Sequence, residues 1–257
     1  MKRFLLLISV LVFSPCIGFA IEKAGSIING PLPLMMFAYI PPGEFLMGSP
    51  LSEEGRLDVE EQHHVRINKG FYMQTTEVTQ GQWKAVMGNN PSEFKGCGDN
   101  CPVDNVSWED ANEFIIALNK MKKGIFRLPT EEEWEYACRA GSSEAVYGNK
   151  DDIAWYNNNS NKTTHPVMTK RPNDWNLYDM IGNVCEWCSD DYDYYPKENT
   201  TNRTASSLDH MRVVQRGGSW FCDTRICRAA HRGNFSPVFK FNDFGFRLVM
   251  DQANKTL

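Results

Sequence analysis

From Ser142 to Met250 the sequence is dense in Asn, Gly, Pro, Asp and aromatic residues, and few of its apolar runs keep a helical or strand period. Such a stretch cannot bury its apolar side chains by stacking long elements. It folds through turns, buried tryptophan and metal ions. The half before it is different, and together they read as one α+β domain with low regular secondary structure.

Three helices are signalled by their starts. Thr79 can cap "QGQWKAVMG". Ser107 can cap "WEDANEFIIALNKMKK", where Ala111, Phe114, Ile115 and Leu118 share a face. Thr130 and Glu133 form a capping box for "EEEWEYACRA". The triplet Glu131, Glu132 and Glu133 reads as a helix start favoured by the dipole. "FAYIPPGEFLMGS" reads as two short strands about a Pro-Pro-Gly turn, and "HHVRINKGFYM" as one more strand. His63 and His64 flank that strand with no partner motif.

The N-terminus carries Lys2 and Arg3, then "FLLLISVLVF", then small residues ending at Ala20, the pattern of a secretory signal peptide over residues 1–20. No later segment is long and apolar enough to span a bilayer. Residues 21–37 form a lead-in, 38–250 the domain and 251–257 a tail. Losing the leader takes the formal charge from −5 to about −7. A net acidic chain argues against nucleic acid and against a polybasic membrane anchor. The expected location is periplasmic or secreted.

Export lets cysteines pair. The mature chain keeps Cys97, Cys101, Cys138, Cys185, Cys188, Cys222 and Cys227, an odd number. Cys97 and Cys101 can close the small loop "CGDNC". Cys138 reads as a buried helical thiol. The spacings do not make a zinc finger.

Seven words occur in order: "IPPGEFLMGS", "EVTQGQW", "CPVDNVSWEDANEF", "FRLPTEEEWEYACRAG", "PNDWNLYDMIGNVCEW", "RVVQRGGSW" and "GFRLV". Together they resemble the sulfatase-modifying-factor family of the formylglycine-generating enzymes, across roughly residues 38–250. The resemblance implies that family's compact variant of the C-type-lectin-like fold. In its active members, two cysteines near the C-terminus hold Cu(I), a soft ion suited to thiolates. Read forward from Gly217 and Gly218, those positions are Cys222 and Cys227, with Ser219 and Trp220 shaping a substrate pocket. Read backward from Arg228, Ala230 and Arg232, the interval is short by about three residues, which unsettles the place of Cys227.

A tryptophan of the family is replaced by Cys185. Bridges from Cys185 and Cys188 to Cys222 and Cys227 are therefore the alternative to a copper pair. The resemblance also implies calcium, a hard ion taking oxygen ligands, held by Asp179 and Glu186 with the carbonyls of Gly182 and Val184. The other reading has Asp179 capping a turn and Glu186 meeting an arginine. Two functions stay open. One is an exported copper-dependent oxidase that converts a cysteine in a Cys-x-Pro-x-Arg segment of a sulfatase or other exported protein to formylglycine. The other is a non-catalytic binding or assembly domain of the same fold with structural disulfides.

Overall fold

The computed structural model describes residues 22–193 and 212–251. The expected signal peptide, residues 1–20, and most of the tail lie outside the described residues. Each expected cap is made. Strands β1 (Ile27–Asn29), β2 (Met36–Ile40), β3 (Gly43–Met47), β4 (His63–Ile67) and β5 (Phe71–Gln74) precede helix α1 (Gln80–Met87). Thr79 and Gln82 satisfy each other's backbone N–H groups at its start. Helix α2 (Trp108–Asn119) opens on a Ser107–Asp110 box and buries Ala111, Phe114, Ile115 and Leu118, the face read from the sequence. Strand β6 (Phe126–Arg127) leads to α3 (Glu131–Arg139), which opens on the Thr130–Glu133 box.

After the short helix α4 (Lys150–Ile153), no further helix forms among the described residues. Strands β7 (Cys185–Asp191), β8 (Val213–Arg216), β9 (Arg232–Phe235), β10 (Phe244–Gly245) and β11 (Val249–Asp251) complete the domain. One sheet runs β1-β2-β5-β11-β6 and a second β10-β7-β8-β9, with β3-β4 as a separate hairpin.

The Pro-Pro-Gly turn does separate β2 from β3, but these strands join different sheets. Pro41 and Pro42 offer no N–H to a ladder, so the chain leaves the first sheet there. "HHVRINKGFYM" forms two strands, β4 and β5, rather than one. The lead-in contributes β1, which pairs antiparallel with β2.

The second sheet is tied to α3 by buried charge. Glu131 receives Arg232 through Nε and Nη2 at 2.6 and 2.8 Å, and Arg216 at 3.2 Å. All three side chains are fully buried, so Glu131 does more than meet a helix dipole: it compensates two arginines on adjacent strands.

Candidate functional site

Three irregular segments meet where the family resemblance places its chemistry: 179–185, 217–222 and 243–247. Backbone hydrogen bonds lock them together. Gly182 N–H donates to the Gly217 carbonyl (3.1 Å), Trp220 N–H to Asn183 (2.9 Å) and Cys185 N–H to Asp243 (2.7 Å). The last belongs to a parallel pairing of β10 with β7. Glycine is required at two of these contacts. Gly182 has φ +83°, and a Cβ there would lie 2.3 Å from the Trp155 carbonyl oxygen. Gly217, at φ +92°, packs against the Met180 carbonyl and the Trp134 ring.

This junction gathers three ligand-type groups. The sulfurs of Cys185 and Cys222 and a carboxylate oxygen of Asp243 all lie within 4.8 Å of one another, and each residue is only partly buried. Ser219 links them. Its hydroxyl donates to Asp243 Oδ2 at 2.8 Å and lies 3.3 Å from Cys222 Sγ. The hydrogen bond with Cys185 is the main cause that lowers the Cys222 thiol to about 7, against the cost of burial. The same hydrogen bond pushes Cys185 up. Cys222 is thus the sulfur most ready to ionise near neutral pH.

Cys227 lies behind the same turn, its sulfur against Gly218, but it is fully buried in the core and desolvation raises its thiol. Cys188 is likewise buried and raised. Cys138 is buried in α3 and pushed up to about 12. Cys97 and Cys101 are disulfide-bonded, as the small loop suggested. The Cys185–Cys222 and Cys188–Cys227 bridges weighed from the sequence are not formed, because all four thiols are free. The Cys185–Cys222 juxtaposition is nevertheless real.

Trp220 is buried, its indole N–H donating to the Asn242 carbonyl (3.1 Å) and its ring edge-on to Phe94 and Phe221. It walls the junction. Phe221 beside it is 69% exposed, an apolar surface at the rim.

The calcium reading is rearranged. Asp179, at φ +54°, accepts from the Met168 N–H through Oδ2 at 2.9 Å, while Oδ1 meets no donor. Glu186 has both oxygens occupied: Arg247 donates to each at 2.7 Å and the Trp134 indole to Oε2 at 2.8 Å. Glu186 therefore meets an arginine, as the other reading had it, and Asp179 accepts from a backbone N–H of a separate segment. Gly182 and Val184 lie buried between the two acids.

The open oxygens belong to Asp179 and to Glu77, a residue the sequence reading passed over inside "EVTQGQW". Glu77 is fully buried and neither carboxylate oxygen meets a donor. Burial and then Asp179 raise its pKa well above the usual range, and burial raises Asp179 to about 6. Three carboxylates here face one buried arginine, Arg247. If all ionise, the cluster has two negative charges in excess. A divalent, oxygen-seeking cation held by Asp179 and Glu77 would neutralise them and satisfy the orphaned oxygens.

Comparison with known proteins fits this geometry. The profile of the sulfatase-modifying factor enzyme 1-like domain matches residues 30–252. A chaperone protein, LppX, of Paenibacillus barcinonensis is 29% identical over 236 residues, covering 70% of this chain and 79% of its own. A formylglycine-generating enzyme of Streptomyces coelicolor is 34% identical over 174 residues, covering 59% of this chain and 53% of its own. This chain therefore spans about half of that enzyme. The solved structure of Treponema denticola variable protein 1 superposes with a TM-score of 0.77 at 29% identity, over 88% of this chain and 99% of that one. Relatives named as a chaperone and as a formylglycine-generating enzyme show that the fold does not fix the activity. Since the profile runs through nearly the whole described domain, the chain belongs to the sulfatase-modifying factor enzyme 1-like domain family.

Proposed function

We propose that this chain is an exported oxidase of the formylglycine-generating type, acting on a cysteine of another exported protein with copper held through Cys222. The observation that carries the reading is the environment of Cys222: a partly exposed thiol lowered to about 7, with a second thiol and Ser219 in contact. Clustered thiolates are the donor set a soft ion takes. Copper, when bound, supplies the redox chemistry with oxygen that no side chain provides. The chain's own residues do the rest. Cys222 binds, and Ser219, fixed by Asp243, holds the thiol's orientation. Trp220 closes the inner wall against water, and exposed Phe221 offers an apolar contact for the incoming segment. The substrate class is a Cys-x-Pro-x-Arg segment, as in a sulfatase precursor. Glu77 and Asp179 hold calcium as a structural ion beneath the site.

The test is incubation of the reduced, copper-loaded chain with a Cys-x-Pro-x-Arg peptide and a thiol reductant under oxygen. The peptide's CH2–SH carbon becomes an aldehyde, its sulfur leaves as hydrogen sulfide, and the thiol supplies the two further electrons that reduce oxygen to water. The expected product is an aldehyde that labels with a hydrazide, absent with Cys222→Ser. One observation favours a second reading, a binding or assembly domain without catalysis. Cys227, a member of the copper pair implied by the resemblance, is fully buried in the core. No aldehyde from wild-type protein that has taken up copper would leave that second reading standing.

A further inference from the structure

We infer that the second thiolate of the metal site is Cys185, not Cys227, so that the ion sits between β7 and the Gly217–Cys222 turn. This assignment rests on the copper reading above and changes its ligands. Thiolates lie ~2.3 Å from a bound first-row ion such as zinc, so two thiolates sharing an ion are at most ~4.6 Å apart. The Cys185 and Cys222 sulfurs, within 4.8 Å of each other, meet that requirement with little movement. They are also held there before any ion arrives. Cys185 is fixed by its N–H to the Asp243 carbonyl, and the 219–222 turn by Trp220 N–H to Asn183 and Cys222 N–H to Ser219. A site whose ligands stand on segments cross-linked by backbone hydrogen bonds is preorganised.

Cys227 fails the same test on access. It is fully buried, whereas Cys185, Cys222 and Asp243 are each partly open. The position a Cβ would take on Gly218 lies 3.1 Å from the Cys227 sulfur, so this thiol is packed against the backbone of the turn. Cys185, at the position where the resemblance implies tryptophan, is the thiol grouped with Cys222 and Asp243.

Asp243 is a positioning residue here. It accepts the Ser219 hydroxyl, and a soft monovalent ion does not favour its oxygen. A divalent ion such as zinc would take the carboxylate as a third ligand, and that difference is part of the test.

The experiment uses the full mature chain, reduced and kept anaerobic, titrated with Cu(I) against a chromophoric Cu(I) chelator. Wild type is expected to take up one ion. Cys185→Ser should weaken uptake by at least ~100-fold, as befits a ligand when outer partners alone cost 10–100-fold. Cys227→Ala should keep the affinity within about threefold. A measurement on wild type guards against a variant that misfolds. Iodoacetamide labelling read by mass spectrometry should show Cys185 and Cys222 alkylated without copper and protected with it, and Cys227 unlabelled in both states.

Loss of uptake in Cys227→Ala but not in Cys185→Ser overturns the assignment and leaves the oxidase reading intact. So does Cys185 labelling at the same rate with and without copper. Tight zinc uptake that depends on Asp243, with weak Cu(I) uptake, overturns it in favour of a divalent centre. Isolation of the exported protein with a Cys185–Cys222 disulfide overturns it in favour of a scaffold bridge. Copper bound as inferred, with no peptide oxidation, keeps the site and removes the oxidase.

Discussion

In calcium-free buffer the buried acids at the Asp179 turn should make the folded protein less stable as pH rises through the weakly acid range. Asp179 is raised from 3.8 to about 6, chiefly by burial, with Glu186 adding repulsion and Arg247 and Lys170 opposing it. Glu77 is raised in the same sense. A carboxyl whose pKa is higher folded than unfolded holds its proton longer in the native state. Its cost is absent below the unfolded value and complete above the folded one, so stability falls between pH 3.8 and about 6. At about 1.4 kcal/mol per pKa unit, Asp179 alone costs on the order of 3 kcal/mol at neutral pH. For a domain of this size 1 kcal/mol moves the melting temperature by roughly 2–4 °C, so the melt should drop by roughly 6–12 °C.

Calcium should reverse this, because it binds the ionised carboxylates only in the folded state. At a hundredfold excess over its dissociation constant a ligand contributes ~2.7 kcal/mol. Its effect should therefore be large at neutral pH and small near pH 4, where protons compete. The assay is thermal denaturation across this range, with and without calcium, for wild type and Asp179→Asn. Asp104, also raised to about 6, shares the sign, so the informative quantity is the difference between the two proteins. The amide keeps an oxygen for the Met168 N–H and loses the charge. It should remove most of the calcium response and the Asp179 share of the pH slope, leaving the share of Glu77 and Asp104. Equal slopes in the two proteins, or an equal calcium response, would refute the reasoning.

Two further outcomes concern the scaffold. Glu131→Gln should cost about 3–5 kcal/mol in urea unfolding, since it leaves Arg232 and Arg216 buried with their shared carboxylate discharged; a loss below about 1 kcal/mol contradicts the role given to this pair. Removing the Cys97–Cys101 disulfide with Cys101→Ser should cost about 2 kcal/mol by loop-closure entropy, because the closed loop is short; unchanged unfolding in reductant would show that the bond adds nothing.

The sequence by itself determined the helices and the family. Thr79, Ser107 and Thr130 each sit three residues before the side chain that returns their hydrogen bond, so the start of each helix is a local decision. The buried face of α2 is likewise written in the spacing of Ala111, Phe114, Ile115 and Leu118. The seven ordered words were enough to name the family and the compact domain it forms. The strands were less legible, because a strand's partner lies far along the chain. Pro41 and Pro42 mark a break after β2, but nothing near them says which strands β2 and β3 will pair with.

The chemistry of the site was decided only in three dimensions. From spacing alone Cys222 and Cys227 look like a pair. The partner of Cys222 is instead set by the parallel contact of β10 with β7 and by the glycine turn at Gly217, which bring Cys185 and Asp243 from far-apart positions to one sulfur. The same holds for Glu77. Inside "EVTQGQW" it is one more acid before a helix, and only the packed fold leaves both its oxygens buried beside Asp179 without a donor. Capping depends on neighbours within a turn of the helix, whereas ligation and desolvation depend on which distant segments close over a side chain. A sequence therefore states the first directly and leaves the second to the fold.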